Sequence, residues 1–160
     1  MAILETFHTG LTVSDLDRSV TFYRDVLGLE LVSQWDSEQP YLRTVVGYPD
    51  ASLRIALLRI PRGHPGVSGH HVELLEYKTP RGTRSDPGTY HPGNAHIAFM
   101  VDDLDATYAE LKALGVRFKS PPVEITAGRN RGAKAVYLFD PDDITLELVQ
   151  PAARATEIAR

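Results

Sequence analysis

The chain contains a second copy of its own opening. His8-Thr9-Gly10-Leu11-Thr12-Val13-Ser14-Asp15-Leu16-Asp17 returns as His96-Ile97-Ala98-Phe99-Met100-Val101-Asp102-Asp103-Leu104-Asp105, with the histidine, valine, two aspartates and leucine each 88 positions on. A period this long means two whole supersecondary units, not a short solenoid repeat, and it limits the fold to architectures built from a doubled module.

The rest of each copy follows one order. Residues 3–13 alternate in polarity as a strand does, which places His8, Gly10 and Thr12 on one face. Ser14 or Asp15 then caps a helix whose buried stripe is Leu16, Val20, Tyr23 and Leu27, stopped by Gly28. Strands are expected at 29–35, 53–60 and 70–77, with a loop and a short helix in 36–50. In the second copy a strand at 94–101 leads to Asp102 or Asp103 as cap. The stripe there is Leu104, Tyr108, Leu111 and Leu114, closed by Gly115. Strands follow at 116–119, 133–139 and 144–149, with a loop between the first two and the turn Asp140-Pro141-Asp142-Asp143 before the last. The reading is α+β: two βαβββ modules in tandem within a single domain spanning 1–150. Module 1 covers about 3–77, a Pro- and Gly-rich linker 78–93, and module 2 about 94–150. Residues 151–160 form a polar tail.

Composition narrows the function. A chain of 160 residues with 42% hydrophobic and 24% charged residues is an ordinary soluble domain. A net charge of −4 and the lack of a basic stripe exclude nucleic acid as an expected partner. No apolar run is long enough for a membrane span and no signal-peptide pattern opens the chain, so a cytoplasmic location is expected. There is no cysteine, which leaves histidine, carboxylate and backbone as the only available metal ligands.

Two strands place a glutamate inside an apolar run: Val72-Glu73-Leu74-Leu75 and Leu146-Glu147-Leu148-Val149. Alternation sends the leucines and valine toward the helices and each glutamate to the opposite face, which His8 and His96 share. A lone strand histidine or glutamate is ordinarily structural or solvent-facing. Here both types recur at matching positions of a repeat, and a carboxylate on an inner sheet face is costly unless paired or metal-bound. His8, Glu73, His96 and Glu147 form an N/O donor set suited to one divalent ion: Zn, Ni, Co, Mn or Fe.

These segments, together with Phe22-Tyr23-Arg24-Asp25-Val26-Leu27-Gly28-Leu29 and the run Phe139 to Leu148, resemble the vicinal oxygen chelate superfamily. That superfamily includes glyoxalase I, methylmalonyl-CoA epimerase, extradiol dioxygenases and the bleomycin- and fosfomycin-resistance proteins. The resemblance covers residues 3–150. It implies an open, cup-shaped mixed β-sheet around the metal, His8, Glu73, His96 and Glu147 as its ligands, and a homodimer. Asp143 stands where the family's turn has glycine, a departure expected to alter the turn and not the site.

Glu73 at the second ligand position resembles the isomerases and lyases of the family, which keep four protein ligands. Fe(II) dioxygenases use two histidines and one carboxylate, and the resistance proteins lack the ligand set. The expected activity is therefore a proton shift beside the carbonyl of a small-molecule substrate, through a metal-stabilised enediolate. Glu147 is the expected base and Glu73 the acid or second base. Fe(II) ring cleavage and non-catalytic binding of a drug or metabolite are the alternatives. His71, two residues before Glu73, shares its face and is a candidate relay; His70 faces the other way. His64 and His91 lie in breaker-rich loops. Arg129 and Arg131, on the loop before 133–139, are weaker candidates for clamping a substrate carboxylate or phosphate. Trp35, Tyr41 and Tyr90 are candidate pocket aromatics.

Overall fold

The computed structural model describes residues 3, 6–61 and 70–152, so His64 and residues 153–160 lie outside the described residues. The chain divides into two units, Met1–Arg84 and Ser85–Arg160.

In the first unit β1 (His8–Thr12), β2 (Glu30–Ser37), β3 (Ser52–Arg59) and β4 (His71–Thr79) form one sheet in the order β1-β4-β3-β2. β1 runs parallel to β4 and the other pairs are antiparallel. The first strand is shorter than the alternation suggested: Thr6 and Phe7 are outside it, and Ile3 is 95% exposed. Asp15, in extended backbone, accepts the Arg18 N–H at 3.0 Å and starts α1 (Leu16–Thr21). The helix continues as a π turn over Phe22–Val26, in which the Leu27 N–H reaches back to the Phe22 carbonyl. Leu16, Val20 and Tyr23 are buried, as expected, against the face of β3 and β4 that carries Ala56, Leu58, Val72 and Leu74. Each of these leucines contributes about 1.5–3 kcal/mol by burial.

The far end of the sheet's other face is covered by α2 (Pro40–Val46), which begins on a proline and ends at Gly47 in left-handed conformation. Its Leu42 joins Ala51, Leu53 and Ile55 in a second small core, with Val46, Leu75 and Tyr77 packed around it. The rest of that face is open, and it is the one that carries His8 and Glu73.

The second unit repeats the plan with β5 (Ile97–Met100), α3 (Leu104–Ala113), β6 (Arg117–Phe118), β8 (Lys134–Phe139) and β9 (Thr145–Gln150), ordered β5-β9-β8-β6. Asp103 caps α3 as Asp15 caps α1, accepting the Ala106 N–H at 3.0 Å. Leu104 and Leu111 are buried on α3, with Val136, Leu138, Leu146 and Leu148 buried on the strands. Leu114 departs from the expected stripe. The helix stops at Ala113, so Leu114 is its cap and is 66% exposed. The loop expected between β6 and β8 contains a further short strand, β7 (Val123–Glu124), paired with β8. A two-residue strand among Pro121, Pro122 and Gly128 is too brief for alternation to register.

Both units close their helix N-terminus in the same way from the last strand. The Leu16 N–H donates to Glu76 at 3.2 Å, and the Leu104 N–H donates to Gln150 at 2.9 Å. Glu76 is buried and forms an ion pair with Arg54, its neighbour across β3 and β4. In the second unit Lys134 occupies the place opposite Gln150 and pairs with Asp105 instead. A carboxylate is kept where a guanidinium faces it, and a neutral amide where none does.

Candidate functional site

In the first unit the parallel register of β1 and β4 sets His8 beside His71 and Gly10 beside Glu73. Val72 and Leu74 are buried under α1, so Glu73 emerges on the open face, as the alternation required. His8 Nε2 lies 3.4 Å from Glu73 Oε2, with side chains 35% and 20% exposed. In the second unit the register sets Ala98 beside Glu147, and His96, one residue ahead of β5, turns back onto it. His96 Nε2 lies 3.1 Å from Glu147 Oε2, with side chains 37% and 19% exposed. The two units therefore build the same pair from the same atoms, at nearly the same separation and exposure.

That separation bears on metal binding. Two donors each about 2.1 Å from one ion are roughly 3.0–3.4 Å apart when they are neighbours in an octahedral or tetrahedral shell. Both His–Glu pairs fall in this range, and each combines an imidazole with a carboxylate, a donor set that suits a borderline divalent ion. Each unit supplies two donors. Among the described residues no group of three or more His, Asp or Glu side chains is close enough together to hold a metal ion. Gly10 leaves room beside the first pair: a Cβ there would stand 3.3 Å from Leu75 Cδ1 and 3.9 Å from Glu73 Oε2.

His71 shares the face of Glu73. Its ring stands 6.0 Å from that of Phe7, and its buried Nδ1 has no hydrogen-bond partner among the described residues. His70 points the other way, and its Nε2 lies 2.7 Å from Thr9 Oγ1, a structural contact. His91 stacks on Tyr90 with ring centres 4.2 Å apart and faces Asp86 at 3.3 Å. The Gly88 N–H and His91 together hold the Asp86 carboxyl below the usual carboxylate range. Arg129 and Arg131 are exposed on the loop between β7 and β8, and neither side chain bonds to another described residue. Trp35, on β2, stands opposite Ile55 of β3, while Tyr41 and Tyr90 are 65% and 79% exposed.

One residue at the second pair escaped the sequence reading. Tyr137 sits directly opposite Glu147 in the antiparallel register of β8 and β9. Its hydroxyl is 3.5 Å from His96 Nε2 and its ring centre 5.1 Å from that of the imidazole. Burial first, and then the charge of Glu147, push the phenol above its ordinary value, so it is a neutral donor near pH 7. Counting back across the hairpin from the 140–143 turn would have located it. In the first unit the corresponding place opposite Glu73 is held by Leu57.

Comparison with known proteins agrees with this architecture. Residues 6–148 match the model of the Glyoxalase/Bleomycin resistance protein/Dioxygenase superfamily. The chain is 35% identical over 152 residues to a 2-epi-5-epi-valiolone epimerase of an Actinomyces species, covering 92% of this chain and 80% of that one. It is 32% identical over 152 residues to the lactoylglutathione lyase of Haemophilus influenzae, covering 92% and 93%. The crystal structure of a glyoxalase family protein from Bacillus cereus superimposes with a TM-score of 0.79 at 20% identity, covering 96% and 97%. With a duplicated βαβββ unit, a matching His–Glu pair in each copy, and relatives named as an epimerase and a lyase, the chain belongs to the Glyoxalase/Bleomycin resistance protein/Dioxygenase superfamily.

Proposed function

We propose that the protein is a metal-dependent isomerase, epimerase or lyase that shifts a proton beside the carbonyl of a small-molecule substrate. His8, Glu73, His96 and Glu147 are the four ligands of one divalent ion, one pair from a first unit and one from a second, supplied within one chain or by the two chains of a dimer. The observation that carries this reading is the duplicated pair itself, with Nε2 to Oε2 separations of 3.4 and 3.1 Å. When bound, the ion supplies Lewis acidity to a substrate oxygen and so lowers the pKa of the adjacent C–H. Glu147 takes that proton, and Glu73 returns one from the other side or to the neighbouring carbon. His71, on the face of Glu73, passes protons between Glu73 and the surroundings. The names epimerase and lyase among the relatives support both outcomes of the proton return. A homodimer in the cytoplasm completes the proposal; among the described residues no helix is long and apolar enough to cross a membrane.

The experiment is solvent deuterium uptake at the carbon beside the carbonyl, with chelated protein reloaded with Ni, Co, Mn or Zn. Thioester, hemithioacetal and cyclic polyol-ketone substrates are each offered. Exchange that depends on the metal and falls by two to four orders of magnitude in Glu147→Gln is the expected result, the usual scale of general-base catalysis. No exchange with any metal and any of these substrates overturns the proposal. Oxygen consumption with catechols and Fe(II) would instead assign a ring-cleaving activity.

A further inference from the structure

The two His–Glu pairs match, but the faces around them do not. In the first unit the places beyond Glu73 across the open face are Leu57 and then Ser33, which carry no charge. Arg59, beside His71, is engaged by Glu30 through two contacts of 2.7 and 3.0 Å. In the second unit the row beyond Glu147 runs through Tyr137 to Lys119, whose N–H pairs with the Tyr137 carbonyl just past the end of β6. The Lys119 ammonium lies 5.2 Å from the Tyr137 ring centre and 5.5 Å from that of Phe139, and donates to Thr89 at 3.3 Å. The other basic side chains of this sheet are neutralised, Arg117 by Asp143 and Lys134 by Asp105. Among the described residues no carboxylate is within ion-pair distance of Lys119.

We infer that Lys119, floored by Tyr137 and Phe139 and flanked by Thr89, is an anion subsite that receives a carboxylate or phosphate on the substrate. The inference rests on the proposed function, because it takes the His96–Glu147 pair as the reacting end. Strand spacing puts the subsite two strands away, roughly 10 Å from Glu147 along the sheet. The substrate it fits has a carbonyl at one end and an oxyanion a few bonds away. The aromatic faces hold the ammonium in place, and the Thr89 hydroxyl offers the oxyanion a second donor. Because the first unit offers only neutral side chains in the equivalent row, the substrate's charged end is read by the second unit alone.

Two measurements test this. In the first, inorganic phosphate is titrated into chelated protein and followed by the backbone amide NMR shifts of Thr89, Phe118 and Tyr137, which surround position 119 in parent and variants alike. Lys119→Met weakens phosphate binding by about tenfold and Lys119→Arg restores it, the loss expected for one charge-assisted contact. Unchanged binding in Lys119→Met overturns the subsite. In the second, deuterium uptake by metal-loaded protein is compared for a neutral hydroxyketone, its phosphate monoester and its carboxylate analogue. Lys119→Met raises KM for the phosphate, the carboxylate or both by about tenfold, leaves kcat unchanged, and does not affect the neutral compound. An equal change for neutral and anionic compounds overturns the subsite while exchange itself upholds the metal reading. No exchange at all overturns the metal reading, and the phosphate titration then decides the subsite by itself.

Discussion

Replacing Glu76 tests how the first unit holds its helix to its sheet. Its buried carboxylate accepts the Leu16 N–H, one of the orphan donors at the start of α1, and pairs with Arg54 at 3.2 Å. Arg54 is not stranded when Glu76 is removed, because Asp17 holds it at 2.8 and 3.0 Å. In Glu76→Ala the loss is therefore an unsatisfied buried N–H, costing about 1–3 kcal/mol. The buried Cγ methylene adds about 0.8 kcal/mol. The expected total is about 3 kcal/mol, a large share of a typical domain's stability. Glu76→Gln keeps the acceptor, as Gln150 does for Leu104 in the second unit, and loses the attraction to Arg54 and, at longer range, to the more exposed Lys78 and Arg81; about 1 kcal/mol is expected. Urea unfolding followed by circular dichroism gives both values as midpoint shifts at constant m. If Gln costs as much as Ala, the carboxylate's charge and not the helix-end acceptor carries the interaction. If Ala costs under 1 kcal/mol, the helix end is not held from the strand at all.

Asp143 lies in the left-handed region at φ 66° and pairs with Arg117. Asp143→Ala keeps the strain and loses the pair, so a loss of about 1 kcal/mol is expected in thermal unfolding. Asp143→Gly relieves the strain and loses the pair, and it should fall within about 0.5 kcal/mol of the parent protein. Arg54 holds the Asp17 carboxyl below its ordinary range, and Arg24 does the same for Asp25. A depressed folded-state pKa adds stability that is complete above the unfolded value of about 4 and is lost as pH falls through the lower folded value. Stability measured from pH 6 to 2 should therefore decline below about pH 4, less steeply in Asp17→Asn. Gly10→Ala should fold with a midpoint within a few degrees of the parent, because φ at Gly10 is not left-handed and the second unit already carries Ala98 at that place. A failure to fold would show that Leu75 cannot yield the few tenths of an ångström required.

The repeat made the fold class legible, because alternation and capping say the same thing twice. Asp15 and Asp103, Gly28 and Gly115, and the buried leucines of both strands flanking the glutamates all lie where the pattern placed them. Short-range signals failed where tertiary geometry decides. Leu114 has helical spacing but falls after the last turn, and β7 is too short to have a period. Glu76 and Gln150 carry no distinguishing signal in the strand pattern, and only the packing of the helix over the strand explains why they are there. Each His–Glu pair was legible because strand parity alone fixes the face of the glutamate. Tyr137 was not, because its neighbour Glu147 is reached through a hairpin register set by the 140–143 turn. Lys119 was hidden for the same reason, one strand further out.

Duplication also bears on why a site of this kind can diversify. Each copy contributes an imidazole and a carboxylate, and two protein donors are fewer than the three or four that a zinc-type ion takes from a protein. The centre proposed above would require each pair to be kept, and would leave the residues around the pairs free to differ. The differences follow that logic: Gly10 against Ala98, Leu57 against Tyr137, Ser33 against Lys119. If the centre is shared, His8→Ala and His96→Ala each lower metal affinity, and the double variant loses little more than either alone, because the first removal already leaves too few donors. Isothermal titration with Ni or Zn measures this directly. Strictly additive losses would mean that each unit binds its own ion, and the proposed single centre would have to be abandoned.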